Sequence, residues 1–237
     1  MADRENVRHT PKLSRGTKAM VKFCNDVDIA RYEPMLFGEL HLPWQVLGAG
    51  ENGQLEGTAF SDASADFVAS GVKAGGIIYM RSPDGLLDGI YEIVSVDSAT
   101  QLSVSVVRSD SEQDSIAPKA AEEIFYRIST LEPQIVEAAM HLTEHLGIQP
   151  GCSVSELRAE DILDNEPLRQ VSVFMVISAV YVMLASRAND KDFWSKSLHY
   201  KKLFEKALEQ CRVSIDSNGD GVGDITIGGG AFRMKRE

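Results

Sequence analysis

The 237-residue chain sets 24 Lys and Arg against 35 Asp and Glu, a net charge of −11, with 43% hydrophobic and 25% charged residues. That is the composition of a globular protein with enough bulk for a core, and its acidic balance makes it a poor grip for a nucleic acid backbone. Cys24, Cys152 and Cys211 are far apart and form no CxxC, so neither a disulfide framework nor a zinc ribbon is expected, and a reducing compartment is the natural setting.

In chain order, residues 1–22 read as a flexible basic arm, net +4, with Pro11 and Gly16 and no periodicity. They hold no apolar core stretch of the kind a secretory signal needs. Residues 231–237 carry net +2, which leaves −17 on the body between the two tips. Asn25 is placed to cap a short helix through DVDIARYE, ended by Pro34. GAGENGQLEG, 48–57, reads as a glycine-rich loop.

Residues 57–107 read as a small inserted antiparallel β domain. GGIIYM (75–80), the turn SPDG (82–85), GIYEIVSV (89–96) and QLSVSVV (101–107) follow one another, and Leu102, Val104 and Val106 alternate with polar residues. Residues 108–123 read as a polar linker leading out of it.

The rest predicts helices: 129–147 with Leu131, Ile135, Ala138, Leu142 and Leu146 on one face, a short acidic helix at 153–163, and 166–188, apolar nearly all round. The uncharged run 171–185 is 15 residues, short of the roughly 20 that a membrane span needs. A buried helix is expected there, with Val173, Phe174, Ile177, Tyr181 and Leu184 packing inside the subunit or between subunits. Residues 190–215 predict one long helix whose seam runs from Phe193 through Tyr200 and Phe204 to Ile215. The fold expected is therefore α+β: a mainly α-helical bundle formed by 23–56 and 118–215, with the β domain at 57–107 inserted. A turn and β-like tail, 216–237, completes the chain.

Two motifs invite chemistry. DSNGDGVGD, 216–224, opens like a calcium loop, with Asp216, Asn218, Asp220, the Val222 carbonyl and Asp224 as candidate ligands. The twelfth position, where a bidentate acid belongs, is Ile227, and no helix follows, so an Asx-rich structural turn is the stronger reading. HLTEH, 141–145, matches an inverted zinc-hydrolase pattern, with His141 and His145 as ligands, Glu144 as base, and only Glu205 or Glu209 as formal third ligands. Two histidines flanking an apolar helix face are more simply surface residues. No phosphate loop, dinucleotide fingerprint or nucleophile elbow occurs.

Three stretches together carry a resemblance: NDVDIARYEPMLF, then SADFVASGVKAGGIIYM with DGIYEIVSVDSATQLSVSVV, then LASRANDKDFWSKSLHYKKLFEKALEQCRVSIDSNGDGVGD. Across about 25–230 the chain resembles head–tail connector (adaptor or neck) proteins of tailed bacteriophages and phage-like particles. The resemblance implies a structural virion protein without enzymatic activity or cofactor. It implies a homo-oligomeric ring that matches a twelve-fold portal, binds portal and tail or stopper proteins, and lets DNA pass without sequence-specific binding or membrane contact. It places the protein in the virion neck, and in the host cytoplasm during assembly. The tail, with Phe232 and Met234 alternating with Arg233 and Lys235 and followed by Arg236, would dock a neighbour.

Overall fold

The computed structural model describes residues 21–148, 159–188 and 190–228. Helix α1, Asp26–Ala30, begins where Asn25 accepts the Asp28 N–H at 2.9 Å and Asp28 accepts the Asn25 N–H at 3.0 Å. Two donors that a helix start leaves unpaired are thus satisfied reciprocally. Pro34 opens a short 3-10 turn over 34–36.

The chain then enters a barrel. Strands β1 (Val46–Glu56), β2 (Ala59–Ser61), β3 (Ile77–Arg81), β4 (Asp88–Ser98), β5 (Gln101–Ser105) and β6 (Ala121–Ser129) close in the order β1-β2-β5-β4-β3-β6. Every pairing is antiparallel. Closure leaves no open edge. Phe60, Ile78, Met80, Leu102, Ile124 and Tyr126 fill the interior.

This corrects the expectation of a mainly helical bundle: the structure is a closed six-stranded barrel with four helices, 36% helix and 27% strand. The barrel runs from Val46 to Ser129, not from Gly57 to Val107. The glycine-rich stretch expected as a loop is β1. A Cβ on Gly50 would sit 2.6 Å from the Tyr126 ring, and one on Gly53 would sit 2.7 Å from the Phe60 ring. Glycine is required there because aromatic side chains of the barrel press against the strand, which also shifts register between these two positions. The expected linker likewise ends inside β6, where Ile124, Tyr126 and Ile128 point inward.

Three helices follow: α2 (Glu132–His145), α3 (Glu166–Ala188) and α4 (Lys191–Gln210). Gly147, at φ 73, ends α2. The helix expected over 190–215 stops at Gln210. Beyond it β7 (Arg212–Ile215) pairs antiparallel with β8 (Ile225–Gly228). Val213 and Ile215 are buried while Arg212 is exposed, a period of two rather than 3.6. Of the acidic helix expected at 153–163, residues 153–158 lie outside the described residues, and 159–161 form a 3-10 turn.

Among the described residues one helix, Glu166–Arg187, is long and apolar enough to cross a membrane, and 61% of its apolar window is buried inside the protein. It packs against α4, α2 and α1. Ile77 of β3 belongs to the same apolar cluster as α1 and α3, so barrel and helices share a core. A third cluster joins the end of α2 and the start of α3 to the β7–β8 hairpin through Leu142, Leu168, Val213 and Ile227.

Candidate functional site

The acidic turn joins β7 to β8. Asp216 accepts N–H groups from Asn218 at 3.2 Å, Gly219 at 2.7 Å and Gly221 at 2.7 Å. Asn218 accepts from Asp220 at 2.9 Å, and Asp220 from Val222 at 2.8 Å. Asp224 accepts from the Ser217 N–H and hydroxyl and from the Asn218 amide. Gly219 and Gly221 take φ of 79° and 82°, which side chains with a Cβ avoid. The N–H of Gly221 foremost, with those of Gly219 and Asn218, holds the Asp216 carboxyl below its usual range. Asp216, Asp220 and Asp224 thus each meet backbone or side-chain donors of the same turn.

The two histidines of HLTEH lie on the solvent side of α2. His141 is 55% exposed and sits 3.9 Å from Glu137 and 4.0 Å from Glu144. Glu205 and Glu209 are exposed on α4. Among the described residues no group of three or more His, Cys, Asp or Glu is gathered as a metal site. Val173, Phe174, Ile177, Tyr181 and Leu184 are all buried within one chain, so they offer no surface to a neighbour. The tail residues Phe232, Arg233, Met234, Lys235 and Arg236 lie outside the described residues.

The sequence reading missed a polar cluster centred on Glu33. Tyr181 donates its hydroxyl to Glu33 Oε2 at 2.6 Å, Tyr200 to Oε1 at 2.8 Å, and Lys196 to Oε2 at 3.1 Å. Lys196 also donates to the Tyr181 oxygen at 2.9 Å and lies 4.9 Å over its ring. Burial pushes the Glu33 carboxyl upward, but the two hydroxyls and the lysine outweigh it and leave the pKa below normal. Burial, then the hydrogen bond to Glu33, raises both tyrosines. The cluster pins the start of the chain to α3 and α4. Its partners are 148 to 167 residues away, and the only signal is two tyrosines in otherwise apolar helix faces.

At the junction of barrel and helices lies a cavity of about 260 Å³, lined by Cys24, Asp26, Leu47, Ile93 and Ile128 and by the loop 70–76. Lys22 and Lys73 both pair with Glu132 at its rim. Inside it, Asp26 accepts the Leu131 N–H at 2.8 Å. Burial raises its pKa to about 6. Burial likewise pushes the Cys24 thiol up to about 12, so at neutral pH it is a packed thiol rather than a nucleophile. No protein-family model, curated protein or solved structure matches this chain.

Proposed function

We propose that this chain is a structural virion protein, a head–tail adaptor whose copies form a ring under the portal, extend the DNA channel and dock the tail. One observation carries the reading: the most heavily bonded acids, Glu33 and Asp216, are engaged in holding the chain to itself. Glu33 ties three elements together, Asp216 closes a turn, and Cys24 is a buried thiol. A scaffold uses such groups this way, whereas a catalyst keeps them open to a substrate. The resemblance over 25–230 supplies the particular assembly. The −17 body supports it too, because a wall along which DNA slides should repel phosphate.

On this reading the partners are further copies of the chain, the portal, and tail or stopper proteins. The chain performs no catalysis and needs no cofactor. Residues 232–236 dock a neighbour, apolar on one side and basic on the other. The test is the mass of the purified protein in solution, alone and with its portal. A ring-sized assembly in either supports the adaptor, and a monomer in both rejects it. Deleting residues 231–237 is expected to leave folded protein that no longer joins heads to tails, scored by counting tailed particles.

A further inference from the structure

The outer face of the β3–β6 pair carries a pattern absent from the sequence reading. Tyr79 pairs with Arg127, and Arg81 with Phe125, across the two strands. Ile78, Met80 and Tyr126 fill the barrel, so these four residues face outward. The Arg127 guanidinium lies 5.2 Å from the Tyr79 ring, and that of Arg81 lies 5.7 Å from Phe125. The two rings meet edge to face at 6.4 Å. Arg187, in the last turn of α3, stacks on Trp44 at 5.6 Å, and Trp44 is 61% exposed. The two halves meet around His41: the Gly38 carbonyl accepts from Arg127 at 2.5 Å and meets His41 Nδ1 at 3.1 Å, and burial, then the charges of Arg127 and Arg187, lower the His41 pKa.

Among the described residues none of these three arginines has an ion-pair partner, whereas Arg31 and Arg108 each have one and Arg169 has two. Arg127 Nε is buried with no hydrogen-bond acceptor. Three acids lie around Arg81 without an ion-pair contact to it: Asp88, its cross-strand neighbour, accepts the Tyr79 hydroxyl, and Glu51 and Glu123 line the same groove. With 35 acids to 24 basic side chains, three unpaired arginines in one stripe point to an anion from outside the subunit. The ring faces already carry guanidiniums, so bases find little stacking platform there, which favours an acidic protein surface over a single nucleic acid strand.

A complementary surface lies elsewhere on the same chain. Asp110, Glu112 and Asp114 are exposed, and among the described residues none has an ion-pair contact, although Asp110 accepts the Glu112 N–H. Beneath them Arg108 is buried, bonded to Glu92 at 2.6 Å, and it donates to the carbonyls of Ser111 and Gln113. Val106 N–H to Ile116 O, at 2.9 Å, clasps the base of the loop, and Ile116 is 54% exposed. A buried cation therefore fixes an acidic, partly apolar knob in one shape, which lowers the entropy lost on docking.

We propose that the acidic knob, residues 110–114, of one copy seats on the stripe of Arg81, Arg127 and Arg187 of a second copy. Knob and stripe are different surfaces, so the contact is head-to-tail and repeats around a ring. The proposal rests on the ring reading above and names its contact. It is tested by sedimentation of the full chain at low and high salt. Assembly that salt weakens is expected. Arg81→Glu with Arg187→Glu should lower association about tenfold or more. Adding Asp110→Lys, Glu112→Lys and Asp114→Lys to that variant should restore it. Arg127 is left in place because it holds the Gly38 backbone, and circular dichroism checks that each variant is folded. Rings that survive the arginine reversal overturn the contact and spare the ring reading, and a wild-type monomer at every salt overturns both. Loss of oligonucleotide binding with unchanged self-association would make the stripe a nucleic acid surface and also overturn the contact.

Discussion

Two buried carboxylates set opposite pH dependences. Asp26 has its folded pKa raised to about 6 by burial, above the 3.8 usual for an aspartate. The folded state therefore holds its proton longer than the unfolded chain does. The stability it contributes is full below the unfolded pKa and is lost as pH rises through about 6. Glu33 works the other way. Its folded pKa is lowered, so its contribution is present above the unfolded value and is lost as pH falls through the folded one. Asp26→Asn separates the two. The amide oxygen still accepts the Leu131 N–H, and the new NH₂ faces the Thr130 hydroxyl, which has a lone pair to spare. At neutral pH the variant is expected to be more stable than wild type by up to about 3 kcal/mol, the energy of roughly two pKa units. The gain should vanish toward pH 4. Urea unfolding across that range checks it; a variant less stable at pH 7 would show that the charge is compensated.

At the scale of elements, the β7–β8 hairpin has few residues of its own to hold it. It depends on Val213, Ile215 and Ile227 packing beneath α2 and α3, and on the turn that aims one strand back along the other. Asp216 closes that turn with three backbone N–H groups. Asp216→Ala is expected to lower the melting temperature and expose the hairpin to protease, while Asp216→Asn, which keeps one acceptor oxygen, should lie between. A chelator is expected to leave the wild-type melting curve unchanged; a drop with chelator, reversed by calcium, would make the turn a metal clamp. This turn was legible in sequence because Asx–glycine spacing acts over a few residues. So were α3 and the strands at 77–81 and 101–105, whose apolar spacing is local. β1 was not, because Gly50 and Gly53 are chosen by aromatic rings that arrive from β2 and β6. The Glu33 cluster and the arginine stripe were hidden for the same reason: their members meet only once the barrel closes and α3 folds back on α1.

At the scale of the molecule, the barrel's boundaries decide what can be removed. Val46 and Ser129 pair as neighbours across β1 and β6, so the whole barrel leaves and re-enters the helical part at nearly one point. Excising 57–107, the block that alternation alone marks out, would remove β2 to β5 and strand β1 and β6. Those two would keep Leu55, Ile124, Tyr126 and Ile128 with no opposite wall, and open edges on both sides. Such a product should aggregate. Excising 47–128 and bridging Val46 to Ser129 with two glycines asks the linker to span only the gap between paired strands, about 5 Å. The helices then lose Ile77 and the partly buried Ile90 and Val107 from their core, with the bonds from Val27 N–H to the Gly75 carbonyl and from Arg31 to the Arg108 carbonyl, but keep α1 against α3 and α3 against α4. The loss of Ile77 alone costs about 2–5 kcal/mol. The larger deletion is therefore expected to give the better-folded protein: soluble, helical and less stable than the full chain. Circular dichroism and urea unfolding of the two products decide it. A soluble, cooperative 57–107 deletion would mean that β1 and β6 hold together without the other four strands, and that barrel closure is not what fixes their register.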